Sequence, residues 1–281
     1  MNSAAEDMAG REDRPRLSIV IPACNEEKRI GTMLDAYLPR FRRQPRPVEF
    51  VVVVNGSTDA TAAVVEAYAR KEPALRTVVE PRRVGKGGAL MRGFREARGE
   101  LVGFVDADGS TPPEAFEELV ENLGDAGAVI ASRWRRGARV SPRQPLLRRM
   151  ASRVFNMFTR VLFGLALTDT QCGAKLMRRE AIMEVLPLLG ITRWAFDVDL
   201  LYQLKRAGYG IREIPTTWRD TAGSKIKIAR VSGEMVAALA RLRLVHSPFR
   251  WIVVAYDGCI GWKRMRRRGG KSWPSREQNA R

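Results

Sequence analysis

Asp106 and Asp108, in the run Phe104-Val105-Asp106-Ala107-Asp108, are the two carboxylates whose spacing points most directly to chemistry. They stand at i and i+2 just after an apolar run, so both can face one hard cation. Magnesium and manganese take oxygen ligands and are readily held by one or two carboxylates, with water and substrate phosphates filling the remaining positions. A cation held there would offset charge on a leaving diphosphate. The same pair also suits the cap of a helix that Pro112 and Pro113 announce, and the motif alone leaves both readings open. The single histidine, His246, belongs to no metal-ligand motif and reads as structural or surface. Cys24, Cys172 and Cys259 are far apart and form no C-x-x-C pair, which argues against a structural zinc site and reads as reduced thiols.

The elements that position these residues follow from the alternation of pattern. Leu17–Ile21 is a short apolar run that reads as a buried strand, followed by a helix from Glu26 to Phe41 capped by Asn25. Glu49–Val54 is a second strand, and Gly56-Ser57-Thr58 turns into a helix reaching Lys71. Arg76–Glu80, a helix over Lys86–Ala97, the strand Leu101–Val105 and a helix after Pro113 complete four strand-helix units in the first 125 residues. This is the pattern of an α/β fold, a mostly parallel sheet with helices on both faces. In such sheets the ligand lies beyond the carboxyl ends of the strands. Pro22–Glu26, Asn55–Asp59 and Asp106–Asp108 all fall there. Beyond that point the pattern loosens: a strand at Ala128–Ser132, a basic loop from Arg133 to Pro145, an amphipathic helix from Leu146 to Leu165, helices near Arg179–Leu189 and Asp197–Ala207, a strand near Gly210–Ile214 and a helix over Val231–Leu244.

The chain has 281 residues, 45% of them hydrophobic, enough for one sizeable α/β domain. Residues 1–16 are polar, carry both signs of charge and read as a disordered lead-in rather than a signal peptide. One folded domain is expected over 17–228, with a first half at 17–125 and a second half at 126–228. A helical segment over 229–260 and a polybasic tail over 261–281 follow. No stretch is long and apolar enough for a transmembrane helix; Trp251–Ile260 is roughly half the required length.

The formal charge of +18 is unevenly placed. Nine arginines and no acid lie between Asp125 and Asp169, and the last 21 residues carry eight basic groups against Glu277 alone. This balance favours nucleic acid, an anionic membrane or phosphorylated substrates. Nucleic acid is disfavoured, since no aromatic sheet motif, helix-turn-helix or zinc spacing accompanies the charge. Gly85-Lys86-Gly87-Gly88 is not a Walker loop, yet its glycines allow close backbone approach and the following helix start suits a phosphate. Lys86 is therefore a candidate ligand for a bound phosphate; a plain turn and helix start is the competing reading.

Six motifs in order carry a resemblance. Leu17-Ser18-Ile19-Val20-Ile21-Pro22-Ala23-Cys24-Asn25-Glu26-Glu27 resembles the opening of family-2 glycosyltransferases of the GT-A fold. Gly56-Ser57-Thr58-Asp59, the 83–89 glycine loop and Asp106-Ala107-Asp108-Gly109-Ser110-Thr111-Pro112-Pro113 follow as expected. Asp169-Thr170-Gln171-Cys172-Gly173-Ala174-Lys175 and Phe196-Asp197-Val198-Asp199-Leu200 are similar to the subgroup that glycosylates polyprenyl phosphates, most like dolichyl-phosphate glucosyltransferases. The likeness spans about Leu17 to Lys227.

The resemblance implies a Rossmann-like GT-A domain and a metal-dependent inverting hexosyltransferase using Mg2+ or Mn2+. Pro22, Ala23, Asn25 and Glu26 would line the nucleotide pocket, Asp59 would close it, and Asp106 with Asp108 would hold metal and diphosphate. Arg219, Ser224 and Lys225 would meet phosphates from a late loop, for which an ordinary solvated turn is the alternative. Many members carry Asp-Asp or Asn-Asp where this chain has Val54-Asn55. An aspartate there would accept from the base's ring N–H; Asn55 still accepts through its amide oxygen but lacks the charge. The choice between UDP and GDP stays open, with UDP-glucose favoured. A polyprenyl-phosphate acceptor, with a second pKa of about 6, arrives ionised and needs no base. Asp169 and Asp197 would then orient acceptor or sugar, and Arg133, Arg139 and Gln171 would bind acceptor. The 146–165 helix either touches the lipid or packs on the sheet. A cytoplasmic, peripherally membrane-associated enzyme on an anionic surface is expected. A GDP-mannose or soluble-acceptor transferase and an inactive scaffold are the alternatives, and the sequence is silent on oligomeric state.

Overall fold

The computed structural model describes residues 14–142, 146–190, 195–219, 228–249 and 251. Seven strands form one sheet in the order β3-β2-β1-β4-β7-β5-β8. They are β1 (Leu17–Ala23), β2 (Val48–Asn55), β3 (Leu75–Glu80), β4 (Leu101–Val105), β5 (Ala128–Ser132), β7 (Ala174–Arg178) and β8 (Ile211–Pro215). A separate parallel pair joins β6 (Arg139–Ser141) to β9 (Thr217–Arg219). Eight α-helices occur among the described residues: α1 (Ile30–Arg42), α2 (Thr61–Ala69), α3 (Gly85–Glu96), α4 (Pro113–Asn122), α5 (Leu146–Phe163), α6 (Arg179–Val185), α7 (Phe196–Arg206) and α8 (Ile228–Val245).

The parallel α/β expectation holds for six of the seven strands, because each βα unit returns the chain to the same end of the sheet. The exception is β7, which runs antiparallel between β4 and β5. Sequence periodicity overlooks β7, β6 and β9: the last two have three residues each, and β7 carries a lysine at its second position. The insertion of β7 matters for the site, since it places the Asp169–Lys175 segment beside the end of β4. The core lies on both faces of the sheet, with Leu34, Tyr37, Phe41 and Phe116 on one and Leu90, Phe94, Phe196 and Leu200 on the other. A third cluster, Phe155, Phe163, Leu201, Leu239 and Leu242, ties α5 and α8 to α7.

Helix α1 starts at Ile30, four residues later than expected, and Asn25 does not cap it. Asn25 adopts a left-handed φ of 57°, and its Oδ1 accepts from the Thr58 amide at 2.8 Å. A short amide side chain tolerates this conformation. The residue is spent on joining the β1 and β2 loops.

Candidate active site

Two loops at the ends of β1 and β2 are stitched together. The Asn25 amide donates to Ser57 Oγ at 3.1 Å, and the Glu26 amide to Thr61 Oγ1 at 2.8 Å. Asp59 accepts from the Thr61 amide at 3.0 Å, the Thr61 hydroxyl at 2.5 Å and the Glu27 amide at 3.2 Å. Burial pushes the Asp59 carboxyl up, but these hydrogen bonds overcome it and hold it below the usual range. Asp59 thus braces the loops. Glu26 is clamped by Arg29 through two contacts of 2.6 Å, while burial holds its carboxyl above the ordinary value. Pro22 is half-buried near the carboxyl end of β1; Ala23 is fully buried and contributes packing rather than a surface.

Asn55 departs from the role expected of it. Only 3% exposed, it accepts from the Val84 amide at 2.9 Å and donates to the Gly85 carbonyl at 3.1 Å. Both ends of the amide lock the turn that begins α3. An aspartate could make the first bond but would set a carboxylate against the Gly85 oxygen in the second. The side chain is therefore committed to the loop that carries Lys86.

Asp106 and Asp108 follow β4 directly, where the sheet ends. The Asp108 Oδ1 accepts from the Ser110 amide at 2.9 Å, a local turn that leaves its second oxygen free of that bond. Asp106 receives Lys86 Nζ on Oδ1 at 2.6 Å. Desolvation in the cleft wall, aided by Asp108, outweighs Lys86 and holds the Asp106 carboxyl above its ordinary value. Gly173 lies against this carboxylate; a Cβ there would stand 2.0 Å from Asp106 Oδ2. The Asp106 amide donates to the Gly173 carbonyl at 3.1 Å, so the backbone here is fixed by the residue that precedes β7. No group of three or more His, Cys, Asp or Glu that could hold a metal occurs among the described residues. Two hard carboxylate donors with crowded negative charge suit magnesium or manganese, which complete their shells with phosphate and water.

Asp197, at the start of α7, is 5% exposed. Its Oδ1 accepts from Lys175 Nζ at 2.5 Å, and Lys86 Nζ lies 3.9 Å from Oδ2. Burial opposes its charge, but Lys175 and Lys86 overcome that and hold it below the usual range. Lys175 itself was legible only as a lysine inside an apolar run, and pattern reading assigns it no role. The β7 insertion brings it here.

Asp169 is fully buried, and Arg133 grips it through Nε at 2.8 Å and Nη2 at 3.0 Å, with the Arg133 amide at 3.0 Å. Buried Glu213, in the middle of β8, accepts from the Thr168 and Asp169 amides and so fixes this loop. Arg133 and Asp169 were expected to contact acceptor or sugar. Instead they form a buried bidentate brace, with Arg133 also facing the Trp218 ring at 5.5 Å. Arg139 is exposed at the start of β6, and Arg219, on β9, is tied by its amide to the Ser110 carbonyl of the Asp106–Asp108 loop at 2.8 Å. Ser224 and Lys225 lie outside the described residues, as does the 261–281 tail.

A ledge of unfilled donors borders this brace. Gln171 Nε2, Asn156 Nδ2 and Trp134 Nε1 are buried N–H groups without a hydrogen-bond partner among the described residues. The guanidinium carbons of Arg153 and Arg149, on α5, stand 5.5 and 6.0 Å from the Trp134 ring. At 100° per residue, Arg149, Arg153 and Arg160 lie between the buried face of α5 (Phe155, Thr159, Phe163) and a second, apolar stripe. That stripe is exposed: Leu146 68%, Met150 56%, Val154 48%, Met157 54% and Val161 77%. Packing on the sheet does not account for these residues. Phe249 and Trp251, beyond the end of α8, are also exposed. No helix among the described residues is long and apolar enough to cross a membrane.

The family model described as Glycosyl transferase family 2 matches residues 18–186. A dolichyl-phosphate beta-glucosyltransferase of Trichomonas vaginalis is 36% identical over 249 residues, covering 84% of this chain and 73% of that protein. The Homo sapiens dolichyl-phosphate beta-glucosyltransferase is 34% identical over 225 residues, 75% of this chain and 69% of that one. In fold, the chain is similar to glucosyl-3-phosphoglycerate synthase from Mycobacterium tuberculosis in complex with Mn2+, UDP and glucosyl-3-phosphoglycerate. The TM-score is 0.61 at 22% identity, covering 86% of this chain and 83% of that one.

Proposed function

We propose that this chain, which belongs to glycosyl transferase family 2 and is a glycosyltransferase of the GT-A fold, moves glucose from UDP-glucose to the phosphate of a dolichyl-type polyprenyl lipid at the cytoplasmic face of a membrane. The observation that carries the reading is the juxtaposition of two ledges. Beyond β4 stand carboxylates suited to a metal-bound diphosphate; beside them, unfilled N–H donors and arginines border an exposed apolar stripe. An amphiphile with an anionic head and an apolar tail matches the second ledge in both parts. The names of the relatives support the same acceptor class and a glucosyl donor.

The transfer balances without a general base. A lipid-phosphate oxygen attacks the anomeric carbon, the bond from that carbon to the β-phosphate oxygen breaks, and UDP leaves with the electron pair. The configuration inverts, and no proton need be removed, because the acceptor is largely dianionic at neutral pH. Asp169, saturated by Arg133, has no free oxygen for such a role. Magnesium or manganese, held by Asp106 and Asp108, would supply Lewis-acid neutralisation of the leaving diphosphate when bound. Lys86, on its flexible stem, is within reach of the same diphosphate. Asn55 and Asp59 keep the two donor loops in place. Arg149 and Arg153 on α5, with the donors of Trp134, Asn156 and Gln171, bind the lipid phosphate, and Arg139 and Arg219 on the small β6–β9 ribbon add positive charge at its rim. The apolar stripe of α5 with Phe249 and Trp251 seats the enzyme on the bilayer, and the 261–281 tail adds about 1 kcal/mol of attraction per basic residue near anionic lipid.

Purified protein offered UDP- and GDP-sugars, a short polyprenyl phosphate and manganese should form a glucosyl lipid from UDP-glucose. Asp108→Ala should abolish both transfer and metal-dependent UDP binding. Transfer from GDP-mannose alone, transfer to a soluble acceptor alone, or metal-dependent turnover by the Asp108→Ala variant would overturn the assignment.

A further inference from the structure

We propose that Lys175 is a positioning residue that holds Asp197 with one carboxylate oxygen toward the donor's hexose, so that the pair reads the sugar rather than the nucleotide. The proposal rests on the glycosyltransferase function above. Lys175 is the second residue of β7 and has 0% exposure, a placement lysine almost never adopts unpaired. Its Nζ donates to Asp197 Oδ1 at 2.5 Å and to the Cys172 carbonyl at 2.8 Å, and it stands 5.2 Å from the centre of the Phe104 ring. Nothing about the fold requires a charge here. A buried ion pair is commonly no better for stability than apolar groups of equal volume, and the neighbours Ala174, Leu176 and Met177 are core residues.

The charge does have a use at the cleft. Asp106, Lys86, Asp197 and Lys175 alternate in sign along one line of contacts, and Lys86 Nζ also lies 5.3 Å from the Phe104 ring. The two ammonium groups differ in freedom. The Lys86 side chain is 33% exposed on a flexible stem, whereas that of Lys175 is 1% exposed and enclosed by β4, β7 and α7. A bound diphosphate offers Lys86 a new counter-ion within the cleft. Lys175 has no such exit, so Asp197 keeps its orientation and its charge after Lys86 turns away. The Oδ2 that faced Lys86 is then left to accept a hydroxyl of the hexose.

The test uses the full chain as Lys175→Met, Asp197→Asn and the double variant, with UDP and UDP-glucose as probes in manganese. Calorimetry should give UDP affinity within about twofold of wild type in all three. UDP-glucose affinity and kcat/KM should fall about ten- to a hundredfold, the scale of one hydrogen bond to a charged group. The double variant should be no worse than either single, as expected for residues acting as one unit. Equal loss of UDP and UDP-glucose binding, losses that add in the double variant, or wild-type behaviour of Lys175→Met would overturn the proposal. Should Lys175→Met fail to fold, the double variant, which removes both charges together, against Asp197→Asn carries the same comparison. A wild-type protein that transfers no sugar would instead refute the functional assignment, while the two binding measurements would still judge Lys175.

Discussion

Gly173→Ala tests the geometry of the metal-bearing carboxylate with the smallest possible perturbation, one methyl group. The added Cβ would lie 2.0 Å from Asp106 Oδ2 and 2.6 Å from Cγ. Contacts under 3.0 Å essentially do not occur at real Cβ atoms, so the carboxylate must retreat by about 1 Å. The backbone offers little relief, because the Asp106 amide is bonded to the Gly173 carbonyl and Val105 is paired with Ala174 in the sheet. The side chain must rotate instead, which strains its 2.6 Å contact with Lys86 and moves one of the two metal donors. A misplacement of about 1 Å at a reacting centre costs on the order of a hundredfold in rate, or about 2.7 kcal/mol. We expect kcat/KM for glucosyl transfer to fall by about that factor, with weaker manganese-dependent UDP binding and near-normal thermal stability. Gly210→Ala, where an added Cβ meets nothing within 4 Å, should leave all three unchanged. Radiolabelled transfer and calorimetry measure these quantities. Activity of Gly173→Ala within about threefold of wild type would show that Asp106 does not act from the position it holds here.

Arg133→Met should expose the pH dependence of the Asp169 brace. In the wild type, Arg133 overcomes burial and holds the Asp169 carboxyl below its ordinary value, so the pair's stabilisation is present above the unfolded pKa of about 3.9 and is lost as pH falls through the folded one. Removing Arg133 leaves an unpaired buried carboxylate, a loss of about 3–5 kcal/mol at pH 7. With its pKa now raised, Asp169 takes up a proton as pH falls, so the gap to wild type should narrow between pH 7 and 4.5 in urea melts. A gap independent of pH contradicts this account. Met157→Glu with Val161→Glu should leave the melting temperature nearly unchanged, since both residues are more than half exposed. The same pair should cut partitioning onto anionic vesicles tenfold or more, each lost apolar contact being worth roughly 1.5–3 kcal/mol. Unaltered vesicle binding would rule out the α5 stripe as the membrane-facing surface.

The parallel strands and the helices behind them were legible because apolar runs and helical periodicity are local properties. The placement of Asp106 and Asp108 just past the end of β4, and of Lys86 in the first turn of the next helix, followed from the same local pattern. Three readings changed for one reason. Asn55, Asp169 and Arg133 are polar residues beside a cleft, and local pattern does not say whether such a group faces a ligand or another part of the chain. Each turned out to be bonded to a residue 29 to 36 positions away. The apolar side of the 146–163 helix was visible as periodicity, but periodicity is the same whether a stripe is buried or bare.

By itself, then, the sequence determined the kind of sheet, the family and the acid-free arginine segment. All of these rest on residue type and short-range spacing. Only the tertiary structure decided which charges pair. The antiparallel insertion of β7 brings Gly173 against Asp106 and Lys175 under Asp197, contacts that span 67 and 22 residues of chain. Electrostatic energy depends on distances of a few ångströms, and those distances are set by how the chain returns on itself.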